Sequence, residues 1–248
     1  MLSVQRVTAR SKVFMLDMDG VVLRHPTVFK VLSNRINSFV RQKINPYMEE
    51  HQAIKINDVL YKEFGHSVIG LQKVYDSNIT VKDFCDYVYD KNFLSYIEIL
   101  NKEKVFNENA HEVKRLLESC KDKGVPVFIF SNANERWCRT VLDSMNVEGI
   151  SKKNIIGCDS DAYLSAKELG LKPHKVAYSK AVQYIYKQIN DKDEKEFVYV
   201  DDQIKNLIPV LHNNYWKPVW FNTDLEKPMM RTASMYTVRD ISDLHSFI

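Results

Sequence analysis

Cysteine and glycine are both scarce in this sequence, and each scarcity is informative. The chain of 248 residues has four cysteines, Cys85, Cys120, Cys138 and Cys158, which are widely spaced and form no CxxC pair. That spacing argues against a zinc site and is typical of free thiols in a reducing compartment, so it favours a cytoplasmic protein. The seven glycines are few enough that each is expected to mark a required turn of the backbone.

The sequence also lacks a dense block of lysine and arginine and a long apolar run. Its net charge of +3 is too small to indicate a nucleic acid polymer as partner, and no apolar run approaches membrane-spanning length. The N-terminus carries Arg6, Arg10 and Lys12 without acids, as do organellar transit peptides and disordered basic leaders. The first core strand follows almost at once, which favours a disordered basic leader over a transit peptide. The sequence leaves the oligomeric state open between a monomer and a homodimer.

What is present is the composition of an ordinary globular protein, with 45% hydrophobic and 27% charged residues. Short apolar runs rich in Val, Ile and Phe, each ending in polar residues, predict buried parallel strands. The three strongest are residues 13–16, 125–130 and 197–200, and two weaker ones are residues 155–156 and 219–221.

Helical patterns alternate with these strands. Apolar residues recur at helical spacing in residues 111–121, 135–145 and 176–189. Strands that alternate with helices predict a doubly wound, Rossmann-like α/β fold with a parallel sheet and right-handed crossovers.

The first two strong strands are separated by a stretch too long for a single crossover. Residues 27–100 contain no clear strand, and their periodicity predicts amphipathic helices, the last with Thr80 as N-cap and Asp83 at its third position. We interpret this stretch as an inserted α-helical cap domain, residues 25–103, above a core formed by residues 1–24 and 104–248. The helices predicted in the cap are residues 28–43, 48–64 and 81–90.

Polar side chains follow the strong strands. Asp17 and Asp19 come directly after the first strand and precede Gly20, whose turn can fan both carboxylates around one site. The others are Ser131 and Asn132 after the second strand, Asp201 and Asp202 after the third, and Lys172 before the helix of residues 176–189. Because ligands of open α/β sheets bind outside the carboxyl ends of the strands, we expect these side chains to meet. Carboxylates, a hydroxyl and a lysine together predict a hydrolytic site for phosphate esters.

Each of these features alone also has a structural explanation. Ser131 could be a helix N-cap, Lys172 could lie in an ordinary loop, and the aspartates after the third strand could complement a helix dipole. Asp17 and Asp19 are harder to explain in this way, because carboxylates beside a buried strand are costly without a cation. The coincidence of all these features at strand ends favours the functional interpretation.

The order DxDG, serine-asparagine, lysine-proline and paired aspartate closely resembles the haloacid dehalogenase-like superfamily of phosphatases. The tail at residues 236–248 also resembles the last strand and helix of that superfamily. The resemblance implies that Asp17 attacks phosphorus to form an aspartyl-phosphate, and that Asp19 protonates the leaving oxygen and then activates water. The acid at Asp19 matters, because the dehalogenating branch of the superfamily lacks one there.

The same resemblance implies how a small-molecule phosphate ester is bound. Ser131 and Asn132, with neighbouring backbone N–H groups, are implied to hold the phosphoryl oxygens. Lys172 is implied to serve both binding and catalysis, because it offsets the charge of Asp17 and of the phosphate.

Mg²⁺ is the cofactor that the resemblance implies. Its implied ligands are Asp17, the backbone carbonyl of Asp19, and Asp202. Asp201 is implied to orient metal-bound water, and Asn206 to tie down the loop that carries the paired aspartates. The metal would neutralise developing charge and hold the substrate in line with the nucleophile.

Within the superfamily, the insertion resembles the pyrimidine 5′-nucleotidase branch. The resemblance rests on the YKEFG segment at residues 61–65, on Gly70, and on the spacing of aromatic residues in the following helix. It implies hydrolysis of nucleoside 5′-monophosphates, with pyrimidines preferred, under a cap that closes over the substrate. Helix punctuation and core packing explain the same residues, so Tyr61, His66 and Tyr75 stay open between packing and substrate contact.

Two other functions also stay open. A sugar-phosphate phosphatase or a phosphomutase can use the same core, and a mutase returns the phosphoryl group of Asp17 to a sugar instead of losing it to water. A non-catalytic binding scaffold is the other alternative, but such a module has no need of the acids, the hydroxyl and the lysine together.

Overall fold

The sheet that the described residues form has six parallel strands. The computed structural model describes residues 10–102, 107–160, 170–191, 193–224 and 234–248. The strands are β1 (Ser11–Leu16), β2 (Val127–Phe130), β3 (Ile155–Ile156), β4 (Lys195–Asp201), β5 (Trp216–Phe221) and β6 (Tyr236–Val238). Their order across the sheet is β3-β2-β1-β4-β5-β6. Arg6 of the basic leader and the predicted domain boundary at residues 103 and 104 lie outside the described residues.

Strand β1 lies at the centre of the sheet and is covered on both faces. Phe14 and Leu16 belong to one hydrophobic core, and Val13 and Met15 belong to the other. Alternate side chains of a strand point to opposite faces, so a central strand needs an unbroken apolar run. The strand order reverses between β1 and β4, and in sheets of this kind ligands bind at that point, outside the carboxyl ends of the strands.

The described residues form nine α-helices. They are α1 (Pro26–Ile44), α2 (Glu50–Phe64), α3 (Ser67–Val74), α4 (Val81–Val88), α5 (Lys91–Lys102), α6 (Asn107–Asp122), α7 (Glu135–Ser144), α8 (Lys175–Ile189) and α9 (Ile204–Leu207). Helices α6 and α7 pack on the face of the sheet that carries Phe14 and Leu16, and α8 packs on the opposite face. Helices on both faces confirm the predicted doubly wound architecture.

Helices α1 to α5 occupy the stretch predicted to form the cap. Three of the five were predicted, and α3 and α5 were missed. The predicted start of α4 is confirmed, because Thr80 Oγ1 accepts a hydrogen bond from the Asp83 N–H at 3.0 Å while Asp83 Oδ2 accepts one from the Thr80 N–H at 2.9 Å. This reciprocal capping box satisfies two backbone donors that the first turn of a helix leaves free.

The helical stretch touches the core near the carboxyl ends of the strands. Helix α5 packs against α7. Cys85 of α4 and Cys158 after β3 are buried free thiols whose Sγ atoms lie 3.3 Å apart. Gly65 caps the end of helix α2 with a φ of +78°, and a Cβ at this position would overlap Pro173. The left-handed helix end and the close approach therefore both require glycine at this position.

The tail has the strand and the helix that were predicted. The strand is β6, and the final segment, Ile241–Phe247, is a 3-10 helix. Asp240 caps this segment by accepting a hydrogen bond from the Ser242 N–H at 2.8 Å. In the part of the chain that the structure describes, no helix is long and apolar enough to cross a membrane. The compartment and the oligomeric state stay predictions.

Candidate active site

Seven of the eight predicted site residues line one cavity of about 270 Å³ at the carboxyl ends of the central strands. They are Asp17, Asp19, Ser131, Asn132, Lys172, Asp202 and Asn206. The eighth, Asp201, is fully buried beside them. The topology therefore brings together the motifs that the sequence placed at separate strand ends.

The first acidic loop is held tightly against the sheet. The Asp17 N–H donates to the carbonyl of Val200 at 2.9 Å, and Asp17 Oδ1 accepts from the Met18 N–H at 2.7 Å. Gly20 follows with a φ of +92°, and a Cβ built there would lie 2.5 Å from Asp202 Oδ2. Glycine is therefore required for two reasons, the left-handed turn and the carboxylate that occupies the space where a side chain would stand.

Lys172 joins the ends of three strands through its ammonium group. Its Nζ lies 3.0 Å from Asp17 Oδ1, 2.8 Å from Asp201 Oδ2 and 2.9 Å from the carbonyl of Phe130. Asn132 fixes the lysine backbone, because its Oδ1 accepts from the Lys172 N–H at 2.8 Å and its Nδ2 donates to the Lys172 carbonyl at 2.9 Å. The Asn132 amide is thus used to position the lysine, and its contact with substrate stays a prediction.

Asp201 has a partner on each of its carboxylate oxygens. Besides Lys172, it accepts hydrogen bonds from the Tyr199 hydroxyl, from the Gln203 N–H at 2.8 Å and from Asn206 Nδ2 at 3.0 Å. Charged and hydroxyl donors of this kind compensate the cost of burying a carboxylate completely. Asp201 therefore anchors the loop after β4.

Asp202 points into the cavity from the same loop. Its Oδ2 accepts from Gln203 Nε2 at 2.7 Å, and its backbone carbonyl accepts from the Trp220 indole N–H at 3.0 Å. The indole fixes the backbone, so the carboxylate is held in place next to Gly20. Trp220 is a structural support that the sequence analysis missed, because a tryptophan at a strand end gives no signal of a hydrogen bond to a distant loop.

The carboxylates of the cavity are difficult to ionise without a further cation. Burial raises the pKa of Asp17 well above its usual value, against the opposing charge of Lys172. Burial also raises the pKa of Asp19 and of Asp202 to about 6 in each case. Burial lowers the pKa of Lys172, but Asp17 and Asp201 outweigh this effect and leave that pKa above its usual value. Lys172 therefore stays charged, and its ammonium group contacts two of the four carboxylates, Asp17 and Asp201.

The donor set fits a hard divalent cation. One carboxylate oxygen from each of Asp17, Asp201 and Asp202 can be chosen so that all three lie within 4.8 Å of one another. Asn206 Oδ1 is also buried and accepts no hydrogen bond from the described residues. Clustered carboxylate oxygens of this kind, of which Asp17 and Asp202 line the cavity, suit a cation such as Mg²⁺.

Asp19 and Ser131 face the cavity from neighbouring strand ends. Asp19 Oδ1 lies 3.0 Å and Oδ2 3.3 Å from Nε1 of Trp137, which donates to both. Ser131 Oγ accepts from the Ala133 N–H at 3.1 Å, and the Ser131 side chain also hydrogen-bonds to the Cys138 thiol. Trp137 was predicted only as part of the apolar face of a helix, and its contact with Asp19 gives it a place in the site that the sequence did not reveal.

Helices α1 to α4 and their ends supply an uncharged wall opposite the acids. It is formed by Phe29, Leu32, Ile36, Tyr61, His66, Phe84 and Tyr89. Burial lowers the pKa of His66 to about 4, so this ring is neutral at physiological pH. Two of the three cap residues left open by the sequence, Tyr61 and His66, thus reach the cavity. The third, Tyr75, is 47% exposed and is not among the described residues that line it.

A cation–π contact holds Tyr61, one of the residues that line the cavity. Lys205, from α9 of the core, places its Nζ 3.1 Å from the centre of the Tyr61 ring on α2. Burial lowers the pKa of this lysine to about 8, and the nearby Asp201 and Asp202 oppose the effect. The contact joins the helical stretch to the core at the loop that carries the paired aspartates.

A doubly wound sheet with an acidic, lysine-containing cavity at its switch point defines an α/β protein with a candidate ligand site at its strand ends. The family model for haloacid dehalogenase-like hydrolases matches residues 11–211, and the chain belongs to this family. No curated protein matches the chain at a significant level. The family match confirms the superfamily that the motifs indicated and leaves the nucleotidase branch as a prediction.

Solved structures with the same fold cover almost the whole chain. A phosphoserine phosphohydrolase-like protein from Francisella tularensis is 20% identical, with 96% of this chain and 99% of that chain covered and a TM-score of 0.50. A predicted phosphoglycolate phosphatase from Haemophilus somnus is 17% identical, with 97% and 99% covered and a TM-score of 0.51. YfnB from Bacillus subtilis, in a structure bound to magnesium, is 13% identical, with 96% and 99% covered and a TM-score of 0.53. These likenesses establish the fold alone.

Proposed function

We propose that this chain is a Mg²⁺-dependent phosphomonoesterase that works through an aspartyl-phosphate on Asp17. The observation that carries the proposal is the convergence of Asp17, Asp19, Ser131, Lys172 and Asp202 on one small cavity. A carboxylate nucleophile, a neighbouring acid, a hydroxyl and a lysine are the groups that phosphoryl transfer through a covalent intermediate requires.

Asp17 is the proposed nucleophile. Its Oδ1 is held by the Met18 N–H and by Lys172 Nζ, which fix the plane of the carboxylate at the cavity floor. The ammonium group of Lys172 offsets the charge that Asp17 and an incoming phosphate bring together. Ser131 lines the same cavity, and we assign it to a phosphoryl oxygen, the binding role predicted for it.

Asp19 is the proposed general acid and base. Its side chain lines the same cavity two residues after the nucleophile, as the DxDG motif implies. It would give a proton to the leaving oxygen as the phosphoryl group moves to Asp17, and then take one from the water that releases phosphate. The presence of this acid favours ester hydrolysis over dehalogenation.

Mg²⁺, when bound, would neutralise the phosphoryl charge and help to hold the ester in line. The carboxylates of Asp17 and Asp202, with the backbone carbonyl of Asp19, are the ligands we propose. Asp201 keeps the loop in place, because its oxygens are already engaged by Lys172, Tyr199 and neighbouring donors.

We propose a nucleoside 5′-monophosphate as substrate, with pyrimidines preferred. The cap wall offers aromatic and aliphatic surface, and none of its described residues carries a charge that could pair with the carboxylate of phosphoglycolate or the two charges of phosphoserine. The volume of about 270 Å³ lies below the range of about 300–1,000 Å³ that is usual for ligand pockets. A mononucleotide with an uncharged base suits such a site once the helical cap of residues 25–103 opens and closes over it.

The test is phosphate release from a panel of esters, with and without Mg²⁺. The panel contains UMP, CMP, phosphoserine, phosphoglycolate, glucose 6-phosphate and p-nitrophenyl phosphate. We expect Mg²⁺-dependent release from UMP and CMP in the wild type, loss of release in Asp17→Asn, and full release in Asp143→Asn, an exposed control on α7. Release only from glucose 6-phosphate or p-nitrophenyl phosphate would support a phosphomonoesterase and contradict a nucleotide substrate. Release from no ester would reject the phosphomonoesterase.

A further inference from the structure

Trp137 stands between the helical cap and the proposed general acid. It is the third residue of α7, its side chain is fully buried, and its backbone N–H is held by Asn134 Oδ1 at 2.8 Å. An indole N–H is a donor that cannot accept, and a buried one needs an acceptor. Here the acceptor is the Asp19 carboxylate, at 3.0 Å from Oδ1 and 3.3 Å from Oδ2.

The indole ring is in turn held by two aromatic rings from the cap. Phe93 of α5 stacks on it with a centroid distance of 5.2 Å and an interplanar angle of 14°. Tyr89, at the end of α4, stacks with a distance of 5.4 Å and an angle of 29°. Aromatic contacts of this geometry are specific in orientation as well as apolar. The cap therefore helps to set the ring orientation that aims Nε1 at Asp19.

We propose that Trp137 is a positioning residue that aligns the Asp19 carboxylate for proton transfer while the cap lies closed on the core. The inference rests on the proposed function, because it assigns Trp137 a part in the acid step of that reaction. Without the indole N–H, the Asp19 carboxylate is free to rotate about its two-fold terminal torsion. With the cap displaced, the ring loses both stacking partners, so the acid is aligned best when bulk water is excluded.

Leaving-group dependence separates this role from simple packing. The test compares kcat for p-nitrophenyl phosphate, whose leaving group needs little protonation, with kcat for UMP or the alkyl phosphate that the wild type turns over fastest. Trp137→Phe keeps the stacked ring and removes the donor. We expect kcat for the alkyl ester to fall about ten-fold, the scale of one hydrogen bond, with little change for p-nitrophenyl phosphate or in KM.

Asp19→Asn supplies the reference for loss of the acid. Asp19→Asn should lose more kcat for the alkyl ester than for p-nitrophenyl phosphate, by a larger factor than Trp137→Phe does. The double variant should have nearly the same kcat for the alkyl ester as Asp19→Asn alone. Trp216→Phe is the matched control for loss of a tryptophan, because Trp216 packs on Tyr178 and Phe197, and it should leave the ester preference unchanged.

An equal loss for both esters in Trp137→Phe, no loss for either, or full additivity with Asp19→Asn would overturn the positioning role. If Trp137→Phe does not fold, as judged by circular dichroism, Phe93→Leu decides instead. A selective loss for the alkyl ester would then support the proposal, and an equal loss or none would overturn it. If the wild type hydrolyses neither ester, the proposed function itself is rejected. If the wild type is active and Trp137→Phe leaves its ester preference unchanged, only the positioning role is rejected.

Discussion

Replacing Gly20 with alanine should damage catalysis more than stability. A Cβ at this position would lie 2.5 Å from Oδ2 and 2.8 Å from Oδ1 of Asp202, whereas ordinary contact begins at 3.4 Å. The nearest atom of the carboxylate, Asp202 Cγ, would lie at 2.4 Å, so the group must move by about 1.0 Å to make room. A misplacement of about 1 Å in a site can cost on the order of 100-fold in rate. We expect a loss of that order in kcat for Gly20→Ala.

The same displacement should weaken the use of magnesium. We expect the Mg²⁺ concentration for half-maximal activity to rise at least about tenfold, the scale seen when groups around a metal ligand are disturbed. The stability cost should be smaller, because a non-glycine residue in the left-handed region costs about 1–2 kcal/mol. The assays are Mg²⁺-dependent phosphate release and urea unfolding of the same preparations.

Gly149 provides a matched control for the backbone term. Its φ of +93° is nearly that of Gly20, and a Cβ there meets no atom of the described chain within 4 Å. Gly149→Ala should therefore lose a similar free energy of unfolding while keeping the wild-type kcat and magnesium titration. Wild-type kcat and an unchanged titration in Gly20→Ala would refute the placement of Asp202 at the metal.

Three further predictions follow from the site and its cover. Asp202→Ala should raise the Mg²⁺ concentration for half-maximal activity at least about tenfold, and an unchanged titration would point to another ligand. Burial lowers the pKa of His66 from 6.5 to about 4. Between these two values the unfolded chain binds a proton at this histidine and the folded chain does not, so the free energy of unfolding falls as the pH is lowered. The loss should be about 2 kcal/mol at pH 5. His66→Asn should remove that part of the pH dependence in urea unfolding, and equal slopes in both proteins would contradict the burial argument. Diamide takes up two protons and two electrons from a pair of thiols and should therefore oxidise Cys85 and Cys158 to a disulfide. The disulfide would link α4 to the core, so we expect it to slow turnover until a reductant is added. An equal loss of turnover in diamide-treated Cys85→Ser would contradict this link.

The strands could be predicted because each is a buried apolar run with a polar end. Strand β1 could be predicted from that pattern alone. The polar residues after each strand then predicted the site, because the carboxyl ends of parallel strands meet at one edge of the sheet. Strand β2 begins at Val127, two residues later than predicted, because Pro126 has no N–H for the sheet and contributes its carbonyl to Phe14 instead.

The two missed helices lack a clear signal of their own. Helix α3 has eight residues and follows α2 after a break of only two, Gly65 and His66, so its apolar pattern merges with its neighbour. Helix α5 likewise follows α4 after a break of two residues, Tyr89 and Asp90. Closely spaced helices of this kind are separated by tertiary packing more than by local pattern.

The support given by Trp137 could not be predicted for a different reason. An apolar face of a helix explains a buried tryptophan completely, and the partner of its N–H depends on how α7 meets the first acidic loop in three dimensions. The same holds for the cap wall, where Tyr61 and His66 reach the cavity and Tyr75 does not. Motifs identify the chemistry at strand ends, whereas supporting contacts depend on the packing of distant elements.

The saturated environment of Asp201 bears on when the protein can acquire its cation. Lys172, Tyr199, Gln203 and Asn206 satisfy this carboxylate from within the chain, so the loops that surround the site are cross-braced by protein groups alone. In small zinc domains, by contrast, folding waits for the metal. We therefore expect this chain to fold without the proposed cation, so that a chelator stops turnover without unfolding the protein and added Mg²⁺ restores it.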